Sequence, residues 1–429
     1  MPYFDALTET MPRAELQALQ LQKLQALLDE TWGKNAFYTR KFQELGLHPH
    51  DVRALDDLAL LPFTLKRELV QDQSDNAPYG TNLTYPLNRY VRYHQTSGTT
   101  GAPLRVLDTD ASWDWWGKCW AFVLSGAGVC EGDKLFAAFS FGPFIGFWAA
   151  VEGARKIGAM MIPGGGRDSI QRLELMRDAG ATAICCTPTY ALRLLEVARE
   201  NNFDMHSLQV RATIHAGEPG ASIPETKARI ETGWRAKCFD HAGASEVGAH
   251  SFSCEQQAGI HLIESEFIAE VLDRETGKPV APGEVGELVI TNLGRIGFPI
   301  IRYRTGDLVR LNTAPCQCGR TFARFEGGVL GRADDMTTVR GVNVYPMAIE
   351  NLIVRFPEVL EYRITVTRVR EMDEMEIEVE LSDDADRDIP NAISQLVYSM
   401  LSFRPTLRVV EHGVLPRFEM KAKRFFVQR

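Results

Sequence analysis

The chain of 429 residues contains no apolar run long enough to form a membrane-spanning helix. Its most apolar stretch, residues 135–151, is shorter than the roughly 20 residues that a span needs, and Pro143 interrupts it. This stretch instead predicts a buried strand, a turn and the start of a helix. The first twenty residues mix acidic and polar side chains and lack the apolar core of a secretory signal. We therefore expect no export and a cytoplasmic location.

Basic residues are in the minority, and cysteine is sparse. Lys and Arg number 47 against 56 Asp and Glu, which gives a net charge of -9. Proteins that bind nucleic acids or anionic membranes usually present a basic surface, so we expect neither function. Eight cysteines are too few for a disulfide framework in a chain of this length. They are expected to be reduced thiols or metal ligands.

Apolar runs and helix-like segments alternate between about residues 91 and 234, as in KLFAAFS followed by FWAAVEGARKIGA. This alternation predicts an α/β fold with a largely parallel sheet. Leucines on one face of residues 14–28 predict a helical N-terminal region before it. After Gly259, strand-like runs separated by Gly and Pro turns predict a separate β subdomain, about residues 259–330. The remainder predicts a small α+β domain, so the expected domains are 1–330 and 331–429.

The segment HQTSGTTGAP, residues 94–103, is rich in glycine and hydroxyl side chains. Backbone N–H groups of a Gly-rich turn can converge on a phosphate, and neighbouring hydroxyls add donors. The segment has neither the spacing nor the lysine of a Walker A motif. Taken alone, it is equally well an ordinary flexible turn.

Two cysteine-containing segments form a second candidate site. Cys254 and His261 lie in CEQQAGIH, and Cys316 and Cys318 lie in CQCG. Three thiols and one imidazole are a soft tetrahedral set that suits Zn²⁺, and we favour a structural zinc that joins the two ends of the β subdomain. The alternative is four unrelated residues, with His261 lining the active site. The other cysteines are expected at buried apolar positions, namely Cys119, Cys130, Cys185, Cys186 and Cys238.

Five ordered segments resemble the motifs of the adenylate-forming superfamily of acyl-CoA synthetases, adenylation domains and luciferases. They are TSGTTGAP, HAGEPG at 215–220, DHAGASEVG at 240–248, RYRTGDL at 302–308 and GRADD at 331–335. PIIRYRTGDL, RGVNVYPMAIE and LPRFEMKAKR are similar to the phenylacetate-CoA ligase branch in particular. The resemblance implies a large adenylation domain and a small mobile C-terminal domain. It also implies that ATP activates an acid to acyl-AMP, with release of pyrophosphate, before transfer to CoA.

The resemblance assigns roles to individual residues. Lys421 would neutralise charge between the carboxylate and the α-phosphate, with Lys423 as the alternative, and Glu246 would bind Mg²⁺. Asp334 would be the hinge, with Asp335 as its rival. Taken alone, Glu246 would rather be interpreted as a helix N-terminal Glu, and Asp307 as an ordinary turn residue. The implied nucleotide contacts are Thr96, Ser97, Gly98, Thr99, Thr100, Gly101, Gly217, Glu218, Pro219, Asp240, His241, Ala242, Ser245, Asp307 and Arg332.

Three positions depart from the superfamily pattern. Ala102 stands where a lysine usually follows the phosphate loop, and Met420 stands where glycine is more frequent. Ala242 replaces the tyrosine that usually stacks on adenine, and we expect His241 or a nearby aromatic residue to compensate.

The acid is expected to be aromatic, because FSFGPFIGFW places aromatic side chains where the family builds its acid pocket. The alternatives for the acceptor are a carrier protein or an amine, and a non-catalytic ATP-binding or acyl-adenylate-binding protein is a third possibility. A homodimer is implied by the resemblance alone. The expected pocket residues are Phe141, Phe144, His215, Ala216 and Gly243.

Overall fold

The computed structural model describes residues 3–96, 102–339, 342–369, 372–418 and 422–428. Its N-terminal region is helical, as the leucine spacing predicts, and α2 buries Leu16, Leu24, Leu27 and Leu28 completely. The first helices are α1 (Ala6–Glu9), α2 (Arg13–Thr31), α3 (Ala36–Glu44) and α4 (Lys66–Asp75). Short 3₁₀ helices follow α3 at Pro49–Asp51 and Leu55–Leu60. Two more follow, after α4 at Leu87–Arg89 and further along the chain at Met205–Ser207.

An antiparallel hairpin carries the Gly/Thr-rich segment. Its strands are β1 (Tyr90–Gln95) and β2 (Arg105–Thr109), and α5 (Asp110–Gly126) follows. Thr96 closes the hairpin, because its backbone N–H donates to the Leu104 carbonyl at 3.0 Å and its Oγ1 accepts from the Leu104 N–H at 3.0 Å. The described residues at both ends of the segment are therefore held by two paired strands.

Parallel strands alternate with helices in the next part of the chain, as predicted for an α/β fold. β3 pairs with β4 and β5, β5 with β6 and β6 with β7, all in parallel. Their carboxyl ends consequently lie at one edge of the sheet. The elements are β3 (Lys134–Ala137), α6 (Ile145–Lys156), β4 (Met160–Pro163), α7 (Ser169–Ala179), β5 (Ala183–Cys186), α8 (Pro188–Glu200), β6 (Ala212–His215), α9 (Pro224–Trp234) and β7 (Lys237–Ala244).

The strands of the predicted β subdomain are joined to this sheet by a shared strand, and the domain bounds stay a prediction. Strand β7 is the link, because its first half pairs with β6 in parallel and its second half pairs with β8 antiparallel. Within the described residues, twelve strands are joined in this way. The further strands are β8 (Gly248–Ser253), β9 (Ile260–Leu262), β10 (Phe267–Leu272), β11 (Val285–Asn292), β12 (Tyr303–Asn312), β13 (Arg324–Phe325) and β14 (Gly331–Arg332).

The C-terminal region has an apolar core of its own, formed by residues between Val339 and Phe425. Two helices pack on a four-stranded sheet with the order β19-β18-β17-β20, which agrees with the predicted α+β arrangement. A short turn at Ala333–Asp335 precedes it. The elements are β15 (Thr337–Val339), β16 (Val342–Val344), α10 (Pro346–Ile353), β17 (Val359–Val369), β18 (Met372–Leu381), α11 (Ile389–Leu401), β19 (Thr406–Val410) and β20 (Phe425–Gln428). No helix in the described ranges is long and apolar enough to cross a bilayer.

Candidate active site

Most of the residues singled out from the sequence lie at the carboxyl edge of the parallel strands. The loops that follow β3, β5 and β6 meet there, together with the turn between β7 and β8. Parallel α/β sheets bind ligands outside this edge, because the loops that leave the strands form a crevice there. The fold therefore brings together motifs that are distant in the sequence.

Glu246 lies in the tight turn between β7 and β8 and not at a helix N-terminus. Its side chain is buried, and its Oε1 accepts a hydrogen bond from the Tyr303 hydroxyl at 2.7 Å. The Lys66 ammonium lies 3.5 Å from the same oxygen. Burial raises the pKa of Tyr303 well above its usual value, so this phenol remains a neutral donor. The carboxylate is thus fixed in one orientation and flanked by a cation.

A buried ion pair lies behind this turn. Arg295 and Asp108 are both fully buried, and the guanidinium donates to the two carboxylate oxygens at 2.6 and 2.7 Å. Arg295 Nη1 also donates to the carbonyls of Ser245 and Glu246, at 2.8 and 3.0 Å. Because Asp108 belongs to β2, the pair connects the Gly/Thr-rich hairpin to the Glu246 turn. Among the residues beside Glu246, sequence reasoning missed Lys66, Tyr303, Arg295 and Asp108, although an arginine inside the apolar segment GRIGFPII was a usable signal.

Asp307 and Arg332, which the motifs assign to the nucleotide, contact each other in the structure. They face each other in the pairing of β12 with β14, and Arg332 Nη1 donates to Asp307 Oδ1 at 2.9 Å. Asp334, the expected hinge residue, accepts a hydrogen bond from Arg274 at 2.8 Å. Both Asp334 and Asp335 are exposed, so either could turn with the chain. A carboxylate and a guanidinium with exposed surface are suitable groups for ribose hydroxyls and phosphates.

The side chains of β7 lie on two faces, and this corrects the role expected for His241. His241 is buried, contacts the Trp120 ring at a centroid distance of 4.7 Å, and its Nδ1 lies 2.8 Å from the Ser251 carbonyl. Successive strand residues alternate in direction, so Asp240 and Ala242 share the other face. Burial lowers the pKa of His241 to about 4. His241 therefore packs in the core and does not replace the missing adenine-stacking aromatic residue.

Asp240 lies on the face of β7 opposite to His241. Its carboxylate accepts hydrogen bonds from the Ser222 hydroxyl and, at 2.9 Å, from the His241 N–H. Burial raises the pKa of Asp240 to about 6.

The HAGEPG segment forms the loop after β6. Gly217 has φ +93°, a left-handed conformation that favours glycine, and this bend presents Glu218 at the surface of the cleft. Glu218 accepts hydrogen bonds from the backbone N–H groups of Thr189 and Ala422. His215 is fully buried, with its Nε2 2.9 Å from Thr213 Oγ1. It lies beneath the loop, and its contact with the acid stays a prediction.

Aromatic rings cluster where the chain leaves β3. The Phe139 and Phe141 centroids are 5.0 Å apart, and those of Phe141 and Trp148 are 4.6 Å apart. Phe144 and Trp148 are each 39% exposed, which is high for large apolar side chains. The Trp148 Nε1–H donates to the Gly142 carbonyl at 2.9 Å and fixes the indole. These rings form an apolar wall with free surface.

Some predicted site residues lie outside the described ranges. They are Ser97, Gly98, Thr99, Thr100, Gly101 and Lys421. Their roles stay predictions that rest on the motifs. Of the expected nucleotide and pocket residues that are described, Ala216, Gly217, Pro219 and Ser245 lie in loops and Ala242 and Gly243 lie in the second half of β7, all with at least part of their surface accessible.

The Cys/His set meets at one point, although 64 residues separate its first and last members in the chain. The ligand atoms of Cys254, His261, Cys316 and Cys318 all lie within 4.8 Å of one another, and all four residues are buried. Cys254 Sγ is 3.8 Å from Cys316 Sγ, and Cys318 Sγ is 3.5 Å from His261 Nε2. His261 Nδ1 is bonded to the Phe322 carbonyl, which leaves Nε2 facing the thiols. This proximity excludes the alternative that the four residues are unrelated to one another.

One expectation about the remaining cysteines was wrong. Cys130 is exposed, whereas Cys119, Cys185, Cys186 and Cys238 are buried as predicted. Cys130 lies in the turn before β3, where its backbone N–H donates to Asp133 Oδ2 at 2.8 Å. The turn hydrogen bond fixes its backbone, and the side chain points to solvent.

Comparisons with known proteins agree with this site. Residues 88–294 match the family model described as AMP-binding enzyme, and residues 341–429 match that of the AMP-binding enzyme C-terminal domain. The phenylacetate-coenzyme A ligase of Thermus thermophilus is 35% identical over 385 residues, which cover 89% of this chain and 85% of that protein.

Two solved structures of a 2-hydroxyisobutyryl-CoA ligase are also similar. The postadenylation state in complex with R3-HIB-AMP has a TM-score of 0.94 at 30% identity, covering 100% of this chain and 92% of that one. The thioesterification state, in complex with 2-HIB-AMP and CoA, has a TM-score of 0.75 at 32% identity, covering 99% and 92%. The chain is thus more similar to the postadenylation state of that ligase than to its thioesterification state.

The fold and site define an AMP-forming acid–thiol ligase, which activates a carboxylic acid with ATP and forms a CoA thioester. More narrowly, the chain belongs to the phenylacetate-CoA ligase branch of the adenylate-forming enzymes. The resemblance inferred from the five motifs is confirmed. The non-catalytic alternative is not supported by these relatives, which are CoA ligases.

Proposed function

We propose that the acid activated by this ligase is an aromatic carboxylic acid, either an aryl or an arylacetic acid. The observation that carries the proposal is the ring cluster of Phe139, Phe141 and Trp148 at the carboxyl end of β3. Aromatic rings prefer edge-to-face and offset partners at centroid distances of about 4.5–7 Å, so a flat ring can extend such a cluster. The exposed surface of Phe144 and Trp148 gives that ring an apolar contact.

The names of the similar proteins point to two kinds of acid. The curated relative from Thermus thermophilus is a phenylacetate ligase, whereas the solved structures are of a 2-hydroxyisobutyryl-CoA ligase, whose acid is small and aliphatic. An aliphatic hydroxy acid would need polar partners in the pocket, whereas the chain leaving β3 presents apolar rings. The ring cluster therefore supports the aromatic acid.

Acid-dependent pyrophosphate exchange tests this proposal. The panel contains phenylacetate, benzoate, aminobenzoate and a heteroaryl acid beside 2-hydroxyisobutyrate and other aliphatic acids, followed by addition of CoA and mass detection of the thioester. We expect kcat/KM for the best aromatic acid to exceed that for every aliphatic acid by at least about tenfold, since burying a ring contributes about 1.5–3 kcal/mol. Preference for an aliphatic acid would refute the proposal. Exchange without thioester would point to a carrier protein or an amine as acceptor.

Nucleotide and Mg²⁺ binding are proposed for the residues that the structure brings to the sheet edge. Glu246 is a suitable Mg²⁺ ligand, because its carboxylate is fixed by Tyr303 and hard oxygen ligands suit this cation. Mg²⁺ would neutralise phosphate charge when bound. Asp307 and Arg332 are proposed at the ribose and phosphates, and Asp334 at the hinge after residue 330. The homodimer and the cytoplasmic location stay predictions.

Ala102→Lys should lower the apparent KM for ATP by about threefold to tenfold, because a lysine at this exposed position adds a charge-assisted hydrogen bond to phosphate. Steady-state kinetics with varied ATP, at a saturating concentration of the best acid, measure this change. Acid preference should stay the same within about twofold. A shift in acid preference at unchanged KM for ATP would mean that the loop lies against the acid and not the phosphates.

A structural zinc is proposed for Cys254, His261, Cys316 and Cys318. In a tetrahedral site with Zn–S of about 2.3 Å, two sulfurs are about 3.8 Å apart and a sulfur and a nitrogen about 3.6 Å. The distances of 3.8 and 3.5 Å in this cluster fit those values. The hydrogen bond from His261 Nδ1 to a carbonyl is the outer contact that orients a zinc-binding imidazole. Zinc would join the end of β8 to the segment before β13.

Protein purified without chelator should contain about one zinc per chain. Cys316→Ser should lower the zinc content to near zero and reduce the thermal midpoint, because the ion closes a buried cluster. Cys130→Ser is the matched control, since this cysteine is exposed and outside the cluster. Elemental analysis and thermal melts measure both effects. A zinc content well below one per chain in the unaltered protein would contradict the site.

A further inference from the structure

Glu218 makes contacts on both sides of the junction between the large domain and the C-terminal region. Its Oε1 accepts a hydrogen bond from the backbone N–H of Thr189 at 2.8 Å. Its Oε2 accepts one from the backbone N–H of Ala422 at 2.7 Å. Thr189 is the second residue of α8 in the large domain, whereas Ala422 lies just before β20. One carboxylate therefore joins two parts of the molecule that are more than 200 residues apart in the chain.

The N-terminus of α8 provides a fixed seat for this carboxylate. Pro188 occupies the first helical position and has no N–H, and the N–H of Tyr190 is capped by Thr187 Oγ1 at 3.1 Å. The Thr189 N–H between them is bonded to Glu218. Helix N-terminal N–H groups have no partner within the helix, and the helix dipole favours an anion there. Glu218 is thus held from the large-domain side independently of Ala422.

The N–H of Ala422 belongs to the peptide bond that joins Lys421 to Ala422. Two residues later, Arg424 donates to both oxygens of Glu361, with Nη2 to Oε2 at 2.9 Å, and its Nη1 donates to Thr189 Oγ1 at 3.4 Å. Residues 422–424 are therefore attached to Thr189 twice, once through Glu218 and once through Arg424. Both attachments fix the segment that directly follows the proposed catalytic lysine.

Away from the hinge contacts of Arg332 and Asp334, two longer charge contacts also cross this junction. Arg355 lies 3.7 Å from Glu225 and Arg417 lies 3.8 Å from Glu196, and Arg355 is nearly half exposed. Exposed ion pairs of this kind contribute little, whereas a carboxylate between two backbone donors makes two charge-assisted hydrogen bonds. The domain arrangement with these contacts resembles the postadenylation state (TM-score 0.94) far more than the thioesterification state (0.75).

We infer that Glu218 is a positioning residue for the adenylation half-reaction, and that its carboxylate holds the N–H of Ala422, the residue after Lys421 in the sequence, against the large domain. In the thioesterification arrangement Ala422 leaves Glu218, which keeps its bond to Thr189. This inference rests on the proposed role of Lys421. In this role the Glu218 side chain binds the segment that moves, while the backbone of residues 215–220 remains available to the nucleotide.

Glu218→Gln tests the inference because glutamine has the same shape but only one acceptor oxygen, so it can satisfy only one of the two N–H donors. We expect the rate of acid-dependent pyrophosphate release at saturating ATP to fall by about 10- to 100-fold. The KM for ATP should stay within about twofold. Thioester formation from CoA and supplied phenylacetyl-AMP, or the adenylate of the acid that ranks first in the panel, should also stay within about twofold. The retained second half-reaction also shows that the variant is folded.

Glu225→Gln is the matched control, since it neutralises a glutamate on the same side of the junction whose partner is 3.7 Å away. It should leave both half-reactions within about twofold. Equal loss in both half-reactions for Glu218→Gln would overturn the inference, as would a raised KM for ATP with unchanged kcat, which indicates a nucleotide contact. No change in either half-reaction would overturn it as well. Absence of any acid-dependent exchange in the unaltered protein would instead refute the proposed function.

Discussion

Replacement of Lys421 by alanine should reduce acyl-adenylate formation by at least about 100- to 1,000-fold. Thioester formation from a supplied acyl-adenylate should remain within about threefold. In the first half-reaction a carboxylate attacks the α-phosphorus of ATP, so two anions must approach in line, and a preorganised cation offsets their repulsion in the transition state. In the second half-reaction a thiol attacks a neutral acyl carbon, and we propose that the C-terminal domain has by then turned about the hinge at Asp334. One residue can therefore matter in one step and be dispensable in the next.

The two half-reactions are measured separately, by pyrophosphate exchange and by mass detection of the thioester. Lys423→Ala is the matched control, because its ammonium lies over the Phe426 ring at 5.3 Å and so has a local partner. We expect the Lys423 variant to retain both activities within about threefold. Equal loss in both half-reactions for Lys421→Ala would contradict the two-conformation mechanism. If only the Lys423 variant loses acyl-adenylate formation, the catalytic lysine is Lys423 and not Lys421.

Arg295→Met should lower the free energy of unfolding by about 3–5 kcal/mol, because it leaves the Asp108 carboxylate buried without its partner. The guanidinium is completely buried and packs between the rings of Trp116 and Phe298, at 5.3 Å from each centroid. Methionine fills much of this space but cannot donate to the Ser245 and Glu246 carbonyls. The turn that bears Glu246 should loosen, so pyrophosphate exchange should require more Mg²⁺.

Chemical denaturation of Arg295→Met measures this loss, with two controls. Arg193→Met removes an arginine of α8 that pairs with Glu196 and Glu200 at 3.0 and 2.9 Å on the surface, and its effect should stay below about 1 kcal/mol. The double variant Asp108→Leu/Arg295→Met removes both charges and should recover most of the lost stability. If the free energy of unfolding of the single variant Arg295→Met lies within about 1 kcal/mol of that of the unaltered protein, the ion pair is not structurally important.

Local patterns predicted the elements well, because hydrophobic periodicity acts over a few residues. The leucines of residues 14–28, the strand-and-helix alternation and the C-terminal α+β region all match the structure. The connection of the β subdomain to the parallel sheet was not predicted, since it depends on β7, which pairs with a parallel strand in its first half and an antiparallel strand in its second. No local pattern distinguishes such a strand from one that ends a sheet.

The motifs named candidate site residues but not the contacts that these residues make. The motifs named Glu246, Asp307 and Arg332, and the structure places Arg332 on Asp307. They also named His241, which faces the core, because the motif gives the residue order but not the face of the strand that lines the cleft. Tyr303 lies inside a quoted motif, yet its bond to Glu246 depends on how β12 lies beside the β7–β8 turn.

The sequence by itself determined the fold class, the family and the set of reactive groups, since these depend on residue types at short, ordered spacings. Only the tertiary structure decided which groups meet. Asp108 and Arg295 are 187 residues apart, the cysteine pairs 62 to 64, and Glu218 and Ala422 more than 200. Such contacts are made by sheet order and domain placement, and the burial of each partner depends on the whole core. Composition and spacing do not indicate which distant backbone N–H donates to a given carboxylate.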